Sequence, residues 1–450
     1  MLFMLSCLSA KAQELDFATY DSLQKQLHAF AEPGYQEYKS AALLSSFLEE
    51  NGFSVERGVA SIPTAFVASF GSGHPVIGVM AEYDALPGLS QDTVSFRSSI
   101  EGRDYGHGCG HNIIGTASVA AGVSIAKYLA ESGTPGTIKV FGCPAEEGGG
   151  GKAYMTTAGC FSDCDVVFDW HPASKNTVSL GSGLANVSIK FTFHGTAAHA
   201  AAAPWKGRSA LDAVEAFNYM MNMMREHLPK GTLVHYVITD GGTAPNIVPE
   251  RAQVYYYIRH PHGAELLNIL PRVFDAARGA ALGTGTTAEW EIMHGNYERL
   301  INKELAKLFL SNLIQVGGLD LDEREKAFIT EIGGDVSRFT TVVPELGPEG
   351  TGGGSSDAGN VSQVVPLAKL EVCTTTAGIH TWQQTAIGGT TIGTKAVLNV
   401  AKVYYLTAVQ LYTEPSALKA VKDEFTAARG ENPRFVPLTG DRKPPLDYRN

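Results

Sequence analysis

The sequence predicts an α/β protein built on a mostly parallel sheet and interrupted by an inserted α+β unit. Three observations carry this. In the first third of the chain, short apolar runs suited to buried strands alternate with helix-like spacing. After about Gly183 the pattern changes to clean polar–apolar alternation, the mark of a sheet with one covered face. The 450 residues are long enough for two or three domains with a large core.

The elements follow in order. Residues 15–53 read as helix, with Tyr38, Ala41, Leu43, Leu44, Phe47 and Leu48 at helical spacing and Gly52 as the stop. Residues 64–70 alternate, and 75–81 form a short apolar run, both strand-like. A long apolar helix is expected over 113–130, then buried strands at 136–143 and 165–169. In the inserted unit, strand 187–193, helix 209–228, strands 232–239 and 253–259, and helix 263–280 precede a final strand, all within about 110 residues. The first unit resumes near Asn296, with helices over 302–316 and 393–411, and ends near Tyr412. Residues 414–450 are charged and Pro-rich, and are expected to wrap the surface. The boundaries are therefore 1–12, 13–184, 185–295, 296–412 and 413–450.

A net charge of −11 argues against a general nucleic-acid binder, which needs a basic stripe to neutralise phosphates. Residues 1–12 are a short apolar run ending in Ala10-Lys11-Ala12, a small-x-small pattern that predicts an export signal and a periplasmic or secreted protein; without it the expectation is cytoplasmic. No other apolar run is expected to reach the roughly 20 residues of a membrane span. Six cysteines without paired CxxC spacing argue against a disulfide scaffold, although Cys160 and Cys164 could bridge in an exported protein.

Four segments at strand ends carry chemistry, and ligands bind at that edge of an open α/β sheet. Glu82-Tyr83-Asp84 puts two carboxylates on one side of an extended chain; taken alone it reads as a solvated strand end. His107-Gly108-Cys109-Gly110-His111 packs imidazoles and a thiol between glycines, a set suited to Zn²⁺ or Mn²⁺ and costly to explain as packing. Glu146-Glu147 lies between a buried strand and a Gly-rich stretch; a metal would neutralise one acid and leave the other as general base. Asp169-Trp170-His171 ends another strand, with His171 as donor and Asp169 as its partner.

Together these segments resemble the metallo-amidohydrolases that include aminoacylases, bacterial carboxypeptidases and plant indoleacetyl-amino-acid hydrolases, subfamily D of peptidase family M20. The stretches AEYDALPGLSQ, HGCGHN, DWHP and HTWQ are similar to the aminobenzoyl-glutamate-utilising subgroup, and the likeness runs from about residue 20 to 410. The resemblance implies a zinc-peptidase-like catalytic domain and a ferredoxin-like dimerisation domain. It implies two divalent ions, held by Cys109, His111, Glu147, His171 and His380, with Cys109 bridging. Glu146 becomes the general base. His199 reaches the partner's active site and stabilises the oxyanion, and Asn246 with Arg259 grips the substrate carboxylate. Asn112 departs from the Asp common in close relatives, and Glu82-Tyr83-Asp84 from Asp-x-Asp. Asp84 and Asp357 are expected behind the ligands, without a ligand role.

The implied activity is amide hydrolysis of an N-acyl amino acid such as p-aminobenzoyl-glutamate. A dipeptidase or carboxypeptidase of the same mechanism is the alternative within the class. A homodimer is implied, and a second type of subunit is left open. Two other classes remain: a metal-binding, non-catalytic partner or solute-binding protein, against which the retained Glu146 speaks, and a cysteine hydrolase using Cys109 as nucleophile.

Overall fold

The computed structural model describes residues 15–352, 354–430 and 434–449. The expected export segment 1–12 lies outside them. Eleven strands are present among the described residues: β1 Ser54–Arg57, β2 Phe66–Ser72, β3 Val76–Glu82, β4 Gly136–Cys143, β5 Val166–Ala173, β6 Thr177–Ser179, β7 Ala185–His194, β8 Leu233–Asp240, β9 Arg251–His260, β10 Thr287–Asn296 and β11 Leu367–Cys373.

They form two sheets. The larger has the order β1-β2-β4-β3-β5-β11-β6. Its centre, β4-β3-β5-β11, is parallel, and its outer strands are antiparallel. β3 is buried along its whole length, as a parallel strand covered on both faces must be. Helices His111–Ser132 and Thr391–Thr413 pack together and share its core, including Val79, Ile113, Val140, Phe168, Val397 and Tyr404. The four parallel strands end on one edge, so their following loops meet there.

The second sheet, β10-β7-β9-β8, is antiparallel throughout. Helices Ala210–Met224 and Gly263–Thr284 cover one face, giving the strand-helix-strand-strand-helix-strand order of a ferredoxin-like unit. Its own core contains Val187, Phe191, Phe217, Tyr256 and Val273. β8 is an edge strand and is mostly exposed.

Several expectations need correction. The single helix over 15–53 is two helices, Phe17–Phe30 and Tyr38–Glu50. Pro33 lacks an N–H, and Gly34 lies so close to Ala145 and the Tyr448 hydroxyl that a side chain would not fit. Residues 414–450 are not merely a wrapping tail. Pro415–Arg429 is a helix whose Val421 is fully buried, and Leu438 enters the second core. Helix His111–Ser132 is long and apolar enough to cross a membrane by length and composition, contrary to expectation; here its apolar surface is used by the core, since most of it is buried. Cys160 and Cys164 are both free thiols.

Two buried histidines tie stability to pH. Burial, then the charge of Arg103, pulls His28 down to about 4. Burial, then Arg259 and Arg442, pulls His294 down to about 4. The Asn186 amide donates to His294 Nε2 at 2.8 Å, and the ring's Nδ1 donates to Ser188 Oγ at 2.8 Å, so a second ring proton would face a donor. The unfolded chain takes up these protons near 6.5 and the fold does so only near 4. Stability is therefore undiminished above the unfolded value, declines as pH drops toward the folded one and is flat below it, by on the order of 3 kcal/mol per histidine. Thermal melts across this window should fall more steeply for the wild type than for His294→Gln; identical slopes would refute the assignment.

Candidate metal centre

The strand-end loops bring their side chains to one point. Cys109, His111 and His171 offer ligand atoms that all lie within 4.8 Å of one another. So do Cys109, Glu147 and His380, and likewise His111, Glu146 and Glu147. The five donors and the acid named from sequence thus share one site, with Cys109 common to two groups. His380 Nε2 is 3.0 Å from Glu147 Oε1. Gly110 allows the convergence: its φ is +76°, and a Cβ there would press on Pro172 and Gln384.

Asp84 fixes two of these groups at once. His111 Nδ1–H donates to its Oδ1 at 2.8 Å, and the Glu147 backbone N–H donates to its Oδ2 at 2.9 Å. The first bond orients the ring so that His111 Nε2 is turned into the site, where it can ligate. Burial works against the charge on Asp84, but His111 holds its carboxyl below the usual range. Burial also pulls His171 down to about 3, which leaves that ring neutral and able to ligate.

The turn bearing Glu146 and Glu147 is held from all sides. Ala145 sits at φ 56° and His380 at φ 61°, left-handed conformations uncommon for such residues. Glu37 accepts the Ala145 N–H at 2.8 Å, Tyr35 donates to Gly149 O at 2.8 Å, and Tyr448 and Arg449 donate to Glu147 O at 3.1 and 2.8 Å. The His380 N–H donates to Gly108 O at 2.6 Å.

The residues fit divalent cations. His111 Nε2 and Glu82 Oε2 are buried without hydrogen-bond partners. Glu82, Asp84, Glu146, Glu147 and Asp357 crowd the site, while Lys152 is the buried ammonium among them. Burial, then the charges of Glu82 and Glu147, pushes the Glu146 carboxyl well above the usual range. Burial, then Glu147, likewise raises the Cys109 thiol, although it lies just before a helix N-terminus, which favours a thiolate. Bound cations would reverse both effects.

A cavity of about 350 Å³ opens beside these groups, lined by Cys109, Glu146, His171, Arg299, Lys369 and His380. Arg299 and Lys369 had no sequence signal, nor had Lys152, Tyr448 or Arg449. Arg299 is 3.1 Å from Asp169, which turns that acid from the expected His171 partner toward a guanidinium; the His171–Asp169 separation is 4.0 Å.

The remaining three residues stand apart. Arg259 lies opposite Asn186 on the second sheet, 5.5 Å over the Tyr257 ring. His199 and Asn246 are exposed on two loops joined by the Ala200 N–H to Asn246 O bond of 3.0 Å. Those loops follow the far end of β7, where His194 pairs with Arg251. Eight residues of strand separate that end from Arg259, or roughly 27 Å. Gly183, which lines the donor cavity, lies just before the opposite end of β7, so His199 and Asn246 sit beyond the end of this unit away from their own chain's donors.

Replacing Asp84 by Asn removes the anion that orients His111. Metal affinity, measured by competition with a chromophoric chelator, should drop by about 10–100-fold. Unchanged affinity would show that Asp84 does not position the ligand.

The family model for peptidase family M20/M25/M40 matches residues 78–384. The chain is 36% identical to one of the subunits of the p-aminobenzoyl-glutamate hydrolase of Escherichia coli, over 95% of this chain and 96% of that protein. It is 32% identical to the mouse (Mus musculus) Xaa-Arg dipeptidase, over 90% and 88% of the two chains. The fold is similar to that of an aminobenzoyl-glutamate utilization protein from Klebsiella pneumoniae, with a TM-score of 0.62 and 17% identity over 89% of this chain and 95% of that one. Loops that gather metal donors at a parallel sheet edge, and relatedness over nearly the whole length, have one explanation: this chain belongs to peptidase family M20/M25/M40.

Proposed function

We propose that the protein is a two-metal amidohydrolase that cleaves an N-acyl amino acid, with p-aminobenzoyl-glutamate as the favoured substrate. The observation that carries this is Glu146: a carboxylate on the cavity wall, beside the metal donors but distinct from the five assigned to the ions. A pure metal binder has no use for such a base. Cys109, His111, Glu147, His171 and His380 would hold the ions, Zn²⁺ or Mn²⁺ by donor type. Divalent metals held there would supply polarisation of the amide carbonyl and a more acidic water. Glu146 takes the proton from that water and returns it to the leaving amine. The fixed turn keeps its carboxylate aimed at the reacting atoms.

The substrate reading draws on the 36% identical relative, whose name specifies p-aminobenzoyl-glutamate. The dipeptidase relative keeps a dipeptide as the rival within the same mechanism. The first relative is one of the subunits of its hydrolase, so a second type of subunit belongs to the reading. If residues 1–12 are an export signal, the substrate is met outside the cytoplasm.

A homodimer through the second sheet is part of the proposal. Val237 on the β8 edge strand is 57% exposed, Tyr219 and Met223 on the neighbouring helix are 68% and 56% exposed, and an open apolar edge favours pairing with its own copy. Dimerisation would let His199, distant from its own centre, serve as oxyanion donor to the partner's, while Asn246 and Arg259 hold the substrate carboxylate.

Glu146→Gln should lower kcat by about 10²–10⁴ while metal content stays at the wild-type level. Chelation should abolish wild-type turnover of p-aminobenzoyl-glutamate, with recovery on adding Mn²⁺ or Zn²⁺. Activity that survives chelation would instead favour Cys109 as nucleophile, and a metal-loaded protein inert toward a panel of N-acyl amino acids and dipeptides would leave only a binding role. Mixing Glu146→Gln with His199→Ala protomers should regain activity, because in the mixed dimer one site has both residues intact. Failure to regain it in a verified mixed dimer would end the across-dimer role of His199.

A further inference from the structure

We propose that Glu82 is a sixth metal donor of this centre, held in place by Lys152 and Asp357; the inference rests on the metal-hydrolase reading above. The sequence gives Glu82 no such role, since a strand-end acid is ordinarily solvated. In the fold it is 1% exposed.

Its two oxygens face different partners. Glu82 Oε1 lies 2.8 Å from Lys152 Nζ. Glu82 Oε2 points the other way, 3.3 Å from His111 Nε2 and 3.7 Å from His171 Nε2. Neither Glu82 Oε2 nor His111 Nε2 makes a hydrogen bond, although both are buried. His111 Nδ1–H donates to Asp84, so Nε2 is the ring atom turned toward Glu82. Two buried atoms therefore face each other across a gap that calls for a cation, either a second proton on the His111 ring or a metal ion in its place.

The spacing matches such a cation. Donors bound tetrahedrally at about 2.0–2.1 Å from one ion stand about 3.3–3.4 Å apart. The Glu82–His111 separation is that edge length, and Glu82–His171 is slightly longer. Both histidines also have the Cys109 ligand atom within 4.8 Å of theirs.

Lys152 needs Glu82 less than this site does. Its ammonium also pairs with Asp357, and its backbone N–H donates to Asp357 Oδ2 at 2.9 Å. Asp357 thus grips Lys152 twice and can neutralise it alone. Lys152 in turn anchors one Glu82 oxygen and leaves the other free to ligate. It lies on helix Gly151–Thr157, directly after the turn of Glu146 and Glu147, so the clamp and the proposed base share one rigid support.

The test is Zn²⁺ titration of the full chain by competition with a chromophoric chelator, for the wild type, Glu82→Gln and Glu82→Asp. Glu82→Asp keeps the charge beside Lys152 but withdraws the donor oxygen, and remains informative if Glu82→Gln does not fold. The expected result is that one of the two ions binds at least about tenfold more weakly in each folded variant. The metal-free melting temperature of Glu82→Asp should stay at the wild-type value, and its Co²⁺ absorption spectrum should change. If Glu82→Asp binds both ions with wild-type affinity and an unaltered Co²⁺ spectrum, Glu82 is only a counter-charge and the inference fails. If the wild type itself binds no metal, the hydrolase reading fails first, and the two failures are distinguishable.

Discussion

Concentrated negative charge inside a protein must be neutralised, and the architecture of this molecule is organised around that constraint. Glu82, Asp84 and Asp357 are buried where the parallel strands end, and Glu146 and Glu147 stand beside them on the cavity wall. Burying a charge without a partner costs several kcal/mol. Lys152 answers part of the demand, and His111 meets Asp84. The remaining unpartnered donor atoms define the space that divalent cations would fill. Chemistry and stability therefore draw on the same few side chains.

That arrangement is maintained by segments remote in sequence. Glu37 and Tyr35 hold the acidic turn from the N-terminal side, Asp84 holds it from the neighbouring strand, and Tyr448 and Arg449 hold it from the last described residues. On its way there, the segment after Pro415–Arg429 crosses the second sheet: Tyr297 donates to Val436 O at 2.8 Å, and Arg442 donates to Met293 O at 2.8 Å. The same stretch thus touches both the second core and the acidic turn, coupling the position of the inserted unit to the geometry of Glu147.

The inserted unit has a different logic. Its sheet is covered on one face by helices, and its β8 edge carries apolar side chains into solvent, which is costly for an isolated chain. The loops bearing His199 and Asn246 lie beyond the end of the unit distant from the metal donors. The proposed two-fold assembly would resolve both features together, covering the edge and carrying those loops to a second centre.

The sequence by itself determined the α/β class, the strand–helix alternation and the change of pattern near Gly183, because burial on one or both faces writes a period into the chain. It also identified Cys109, His111, Glu146, Glu147 and His171, because thiol, imidazole and acid spaced by glycine at strand ends are hard to explain as packing; His380 needed the resemblance. Only the tertiary structure decided the rest. The break at Pro33-Gly34 follows from contact with Ala145 and Tyr448, more than a hundred and more than four hundred residues away. Asp169 faces Arg299 because of how the chain returns after β10. Lys152, a residue type almost always exposed, is wholly buried because Glu82 and Asp357, 70 residues before it and 205 after it, close around its ammonium. Periodicity records which face of an element is buried, but not which distant charge will meet it there.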